Sequence, residues 1–180
     1  MSDAAVLAGD LASPSSCAGE IGVLAPLLGF RMRRIHNHLT RAFSSRLGER
    51  ALKPGGFSAL GLIAANPGLS QKMLADGLGQ DKTTVVVLLD ELERRGWAER
   101  RRDVADRRRH YLHVTAQGQV ALDWMGAQAI ENERDVVEVL TADEARLLLN
   151  MLDRIYRRAY PLEDEGSAPS MTEPCAGSIR

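Results

Sequence analysis

A mainly α-helical fold carrying one small β-hairpin is what this 180-residue chain predicts, and three observations predict it. Apolar residues recur at three- and four-residue steps over most of the length, the period of a helix that packs on one face. Aromatic residues make up 4% of the composition while Leu, Ala, Val, Arg and Glu abound, which suits helices better than a sheet sandwich. The two-residue alternation of a strand is confined to 97–101 and 110–114. A hydrophobic share of 44% is enough to fill the core of one domain.

The first helix is expected over about 22–47, where Leu24, Leu27, Leu28, Met32, Ile35, Leu39, Ala42, Phe43 and Leu47 form one stripe. Pro54, Gly55 and Gly56 break the chain. Phe57, Leu60, Ile63 and Ala64 mark a short second helix that stops before Pro67, because a residue preceding proline avoids the α region. Ser70 is suited to cap a third short helix carrying Met73, Leu74 and Leu78, after which Gly79 turns the chain. Asp81 caps the fourth, whose stripe is Val85, Leu88, Leu89 and Leu92 and whose end is Gly96. Two short helices across a glycine-containing turn form a helix-turn-helix pattern.

Strands at 97–101 and 110–114 follow, with Leu112 and Val114 facing one way and Tyr111 and His113 the other. A helix-turn-helix with a hairpin behind it is a winged helix, and "RRDVADRRRH" at 101–110 is the tip of its wing. Net charge is −1, but residues 1–20 and 161–180 each carry −3, so the excess elsewhere is +5. Residues 94–110 alone carry +5, with eight arginines against Glu99, Asp103 and Asp106. Guanidinium groups so crowded repel one another unless a polyanion neutralises them, which points to the phosphates or a narrow minor groove of a nucleic acid. A solvated surface is the alternative. Asp103 and Asp106 temper the repulsion and are suited to orient the guanidinium groups by bidentate pairing.

Beyond the wing, Thr115 is expected to cap a long helix to about Leu140 with Val120, Leu122, Trp124, Met125, Ile130, Val136, Val137 and Leu140 as its apolar positions. Thr141 and Glu144 then make a capping box for a last helix containing Ala145, Leu147, Leu148, Leu149, Met151, Leu152, Ile155, Tyr156 and Ala159. That apolar surface is too wide for one stripe, and a second copy of the chain is its natural cover, an ordinary core helix being the alternative. The expected organisation is a flexible acidic tail at 1–20, an N-terminal dimerisation helix at 21–50, a winged helix-turn-helix domain at 54–115, C-terminal dimerisation helices at 116–160 and a second flexible acidic tail at 161–180.

Several classes are excluded. No apolar run approaches the roughly 20 residues of a membrane span, and no signal peptide is recognised, so the expectation is a cytoplasmic protein. Cys17 and Cys175 frame neither a disulfide scaffold nor a zinc site, although a redox-sensing Cys17 is one alternative. His36 and His38 project to different sides of a helix, His110 and His113 lie on a wing strand, and no phosphate-binding glycine loop, nucleophile elbow or metal-ligand spacing occurs. Neither an enzyme nor a cofactor or metal is expected.

The stretches "LSQKMLADGLGQDKTTVVVLLDELERRGWAERR" and "DVADRRRHYLHVTAQG" closely resemble the MarR (multiple antibiotic resistance regulator) family of winged-helix transcription factors, over about residues 22–160. The family's Asp-x-x-Asp-Arg-Arg wing signature stands here as Asp103, Asp106, Arg107 and Arg108. The resemblance implies a homodimer on double-stranded DNA, the fourth helix of each subunit in a major groove and each wing at the flanking minor groove. It further implies that Asp81 caps the recognition helix, that Lys82, Thr83 and Thr84 face DNA, and that Ser70 and Gln71 meet phosphates. Arg107 resembles the minor-groove arginine, Arg108 pairs with Asp106 or a phosphate, and Arg109 completes the basic tip.

There are two departures from the family's pattern. Val86 and Val87 stand where many relatives have Ser and Arg, so they offer thymine a methyl surface but no hydrogen bond. Gln80 replaces the usual apolar residue before the cap, which weakens the hydrophobic staple. The expected operator is an imperfect palindrome, and the expected behaviour is that of a repressor released by a small aromatic or phenolic compound bound near Arg33, His36 and Trp124. Packing or solvation of those three residues is the alternative, as is a winged helix used only for protein contacts.

Overall fold

Helix α1 (Leu28–Leu47) begins later than its apolar period suggests, because Pro26 has no N–H to give to a helix ladder. The 3₁₀ turn Gly22–Leu24 therefore stays separate, and Leu27 is extended (φ −82°, ψ 115°) where α1 starts. The computed structural model describes residues 21–102 and 110–160. Its remaining elements are a second 3₁₀ turn (Gly48–Arg50), α2 (Gly56–Ala65), β1 (Leu69–Ser70), α3 (Gln71–Leu78), α4 (Lys82–Arg94), β2 (Ala98–Arg102), β3 (His110–Val114), α5 (Ala116–Val137) and α6 (Ala142–Ala159). They divide into two compact units, one ending at Val136 and one starting at Val137.

The hairpin is part of a three-stranded antiparallel sheet ordered β1-β3-β2, not a free ribbon. Leu69 lies opposite Leu112 and Ser70 opposite Tyr111, while β2 pairs from Ala98↔Val114 to Arg102↔His110. β1 escapes sequence reading because two residues are too few to show alternation. The wing strand starts at Ala98 and not at Trp97, because the Trp97 N–H donates to the carbonyl of Leu92 (2.9 Å) in closing α4. Gly96, at φ +70°, makes that closure possible, its own N–H reaching the carbonyl of Glu93 at 2.8 Å.

The core of the first unit is built from Leu60 and Ile63 of α2, Leu74 of α3, Val85, Leu88, Leu89 and Leu92 of α4, Leu112 of β3 and Met125 of α5, all with less than 2% or about 2% exposure. Each such side chain contributes roughly 1.5–3 kcal/mol. Met73, expected on the α3 stripe, is 59% exposed and points away from Leu74 and Ala75. Thr115 locks the sheet to α5: its hydroxyl donates to the Gly96 carbonyl (2.6 Å) and accepts the Gly118 N–H (2.9 Å). Asn132, a buried polar residue, donates from Nδ2 to the carbonyl of Leu39 (3.1 Å) and so ties α5 to α1.

α5 ends at Val137, not near Leu140, the Leu140 N–H turning back to the Val137 carbonyl at 2.9 Å. In the second unit, α6 opens with the expected capping box. The Glu144 N–H donates to Thr141 Oγ1 (3.3 Å), and the Thr141 N–H donates to Glu144 Oε2 (2.8 Å). No helix among the described residues is long and apolar enough to cross a membrane.

Candidate nucleic-acid interface

α3 and α4 are both started by side chains that the sequence marks as caps. Ser70, in extended backbone, accepts the Met73 N–H on Oγ (3.2 Å). Asp81 accepts the Thr84 N–H on Oδ1 (2.9 Å) and the Thr84 hydroxyl on Oδ2 (2.8 Å). These bonds favour the anion, the Thr84 backbone N–H most and its hydroxyl next, and hold the Asp81 carboxyl below its usual range. The Thr84 hydroxyl proton is thereby committed to Asp81, which leaves Thr84 only acceptor capacity towards an outside partner.

With Val85, Leu88, Leu89 and Leu92 turned inward, α4 presents Lys82, Thr83, Val86, Val87 and Asp90 to solvent. Val86 and Val87 are 38% and 40% exposed, two branched apolar side chains on an otherwise polar face. Ser70 and Gln71 lie half-buried at the start of α3. Lys82, Thr83, Val86 and Val87 thus share one accessible helix face, as a groove-reading helix requires.

The wing arginines need a correction. Of the five arginines of the window 94–110 that lie among the described residues, three are neutralised within the fold. Arg95 pairs with Glu91 (2.8 Å), Arg100 with Glu93 (2.5 Å) and Asp90 (3.1 Å), and Arg101 with Glu99 (2.6 Å). Counting Asp90, Glu91 and Glu93 of α4 together with that window brings its excess from +5 to +2. A charge tally along the chain misses this because Asp90, Glu91 and Glu93 stand just outside the window, on the last turns of α4. Asp103, Asp106, Arg107, Arg108 and Arg109 lie outside the described residues, as do Cys17 and Cys175.

The three residues expected near an effector do not converge. His36 borders a cavity of about 170 Å³ between α1, the segment joining it to α2 and the start of α2. Arg33 is exposed on α1 and does not line that cavity. Trp124, half-buried on α5, carries the Arg50 guanidinium over its ring at 5.0 Å. The other walls were not anticipated: Thr40, Phe43 and Leu47 from α1, with Lys53 and Phe57. Their signal was present, since positions 36, 40, 43 and 47 repeat at helical spacing, but the same spacing serves an ordinary core stripe. The Phe43 and Phe57 rings lie 5.3 Å apart, tilted, and Thr40 Oγ1 is 3.5 Å from His36 Nε2. Among the described residues, no group of three or more His, Cys, Asp or Glu side chains is arranged to hold a metal.

Residues 52–109 match the MarR family model. A Thauera aromatica protein described as a transcriptional regulatory protein for the hcr operon is 33% identical over 138 residues, covering 76% of this chain and 83% of that protein. The solved structure of the transcriptional repressor CouR bound to a 23-mer DNA duplex superposes with a TM-score of 0.69 at 35% identity, covering 77% of this chain and 98% of that one. CouR from Rhodococcus jostii RHA1 bound to p-coumaroyl-CoA gives a TM-score of 0.68 at 26% identity, covering 80% and 99%.

Proposed function

This chain belongs to the MarR family of DNA-binding transcriptional regulators, and from that premise we propose that two copies of it bind an imperfect palindrome in double-stranded DNA as a repressor that a small aromatic or phenolic ligand releases. Such a regulator works where the DNA is, in the cytoplasm, and carries out no catalysis. The observation that carries the reading is the outward face of α4, where Lys82, Thr83, Val86 and Val87 stand clear of a core that the same helix completes from its other side. In this reading Lys82 meets phosphate, Thr83 reaches a base edge or phosphate, and Thr84 accepts a hydrogen bond. Val86 and Val87 lie against thymine methyl groups. Ser70 and Gln71 touch the backbone beside the α3 N-terminus. Arg107, Arg108 and Arg109 extend to the minor groove, oriented by Asp103 and Asp106.

Two copies are supported by apolar surface that one copy leaves bare. α6 exposes Leu147 (54%), Leu149 (64%) and Tyr156 (60%), and α1 exposes Leu28 (50%) and Ile35 (50%). In this reading α1 forms the N-terminal dimerisation region, α5 and α6 the C-terminal one, and 54–115 the DNA-binding domain. Ligand release is supported by the CouR complex with p-coumaroyl-CoA and by the cavity at His36, where two phenylalanine rings and Lys53 offer an aromatic slot with a cation at its edge. In this reading Arg33 and Trp124 act from outside the cavity, Arg33 from the exposed surface of α1.

The test is selection of bound sequences from random DNA by the full chain, with its mass in solution measured alongside. Recovered sequences are expected to hold two inverted half-sites about 10 base pairs apart, centre to centre. A lone subunit, or recovery of sequences with no shared pattern at low salt, overturns the reading.

A further inference from the structure

Two residues of α4 and its C-cap, Arg95, meet the segment joining α1 to α2 in reverse order. Leu88 abuts Gly55, its Cδ1 lying 3.4 Å from where a Cβ on that glycine would stand. Glu91 Oε2 accepts the backbone N–H of Lys53 at 3.2 Å. Arg95 donates to the carbonyls of Arg50 (3.1 Å) and Ala51 (2.6 Å) while pairing with Glu91 at 2.8 Å. Positions 88, 91 and 95 share one helix face, so the segment runs antiparallel along α4. The Arg95 and Glu91 side chains are only 18% and 10% exposed, and the Arg95 guanidinium lies 5.0 Å from the Trp97 ring centroid. Charges so placed are poorly screened by salt.

Leu52, Lys53, Pro54 and Gly55 of that same segment wall the His36 cavity. The contacts Glu91 and Arg95 make with the segment are to peptide groups, not side chains, so a molecule that displaces this wall must break them or carry α4 with it. Their contribution to holding α4 in the domain is secondary, because Val85, Leu88, Leu89 and Leu92 already anchor the helix. We infer that Glu91 and Arg95 are positioning residues that relay occupancy of the cavity to α4, an inference that rests on the reading of the cavity as the effector site. Their role is to set the tilt of α4 in response to the cavity wall, and through it the match between two recognition helices and their half-sites.

The experiment needs no identified effector, because a side chain serves as the probe. Ser58 and Ser44 both line the cavity, and Ser58→Phe adds a ring at its wall. Affinity of the full chain for a duplex recovered by selection from random DNA is measured for Ser58→Phe alone, and again in Arg95→Gln and Glu91→Gln backgrounds. The expected result is a loss of about ten-fold in the unchanged background and of less than about two-fold where the relay is cut. Arg95→Lys keeps a charge beside Glu91 but lacks the fork that spans two carbonyls, and is expected to restore only part of the coupling. An equal loss in every background overturns the relay and leaves the effector reading standing. No loss in any background overturns both. Ser44→Phe repeats the measurement if Ser58→Phe lowers the unfolding midpoint sharply, since a purely structural defect changes that midpoint without changing the ratio between backgrounds.

Discussion

Gly118, in the first turn of α5, faces the carbonyl oxygen of Trp97 so closely that a single added carbon would overlap it. The approach lets Thr115 reach both the Gly96 carbonyl and the Gly118 N–H, and it seats α5 on the root of the wing. Backbone cannot swing aside as a side-chain tip can. Gly118→Ala is therefore expected to cost about 1–3 kcal/mol or more, read as a lower midpoint in urea or thermal unfolding. Gly126, in the same helix with open space where a Cβ would stand, is the control: Gly126→Ala is expected to leave stability unchanged or raise it by up to about 1 kcal/mol. Equal effects at the two positions would remove the close approach from the account.

Caps and stripes were legible in the sequence because each is a local rule. Ser70, Asp81, Thr115 and Thr141 all cap as expected, since their oxygens meet N–H groups three residues on. Val85, Leu88, Leu89 and Leu92 are buried as their period requires. What could not be read depends on partners distant along the chain. β1 exists only because β3 offers Leu112 and Tyr111 to pair with it, and the His36 cavity needs Lys53 and Phe57 brought against α1. The charge of Arg100 is spent on Glu93 and Asp90, seven and ten residues upstream on α4, which no window count reveals.

The acid limb of stability is expected to carry Asp81. Its carboxyl titrates below the usual range because the Thr84 N–H, and then the Thr84 hydroxyl, stabilise the anion. A group whose folded value is depressed adds stability that is present above its unfolded value and is lost as pH falls through the lower, folded one. The loss therefore sets in below about pH 4. Asp81→Asn still caps the helix but does not titrate, so the unfolding midpoint of that variant is expected to fall less steeply between neutral pH and strong acid. Parallel profiles would assign the acid sensitivity elsewhere, Glu144 being the other carboxyl among the described residues lowered in this way, by the Thr141 N–H first and then its hydroxyl.

Asn132 is 4% exposed, and its Nδ2 is aimed at the carbonyl of Leu39. Asn132→Asp replaces that donor by an acceptor facing an acceptor, with a charge that burial disfavours. The expected cost at pH 7 is about 1–3 kcal/mol or more, and acidification should recover part of it, because a protonated carboxyl again has a hydrogen to donate. Denaturant unfolding of the variant at pH 7 and pH 5 makes the comparison. An unchanged midpoint at both values would show that the amide bond between α1 and α5 holds nothing.

Two exposed cations of opposite circumstance separate DNA contact from mere positive charge. Lys82 stands in the first turn of α4, on the face that carries Val86 and Val87, whereas the Arg101 guanidinium is held by Glu99 through Nε (2.8 Å) and Nη2 (2.6 Å). Each phosphate neutralised releases condensed counterions, so the slope of log K against log salt measures how many cations touch the backbone. Lys82→Ala, present twice in a dimer, is expected to reduce the magnitude of that slope by about 2 and to weaken all sequences alike. Arg101→Gln is expected to move it by less than about half a unit, because its charge is already balanced in the free protein. The reverse order, with Arg101 carrying the slope and Lys82 neutral, would mean that the Glu99 pair opens on DNA and that the wing strand, not the start of α4, makes the principal phosphate contact.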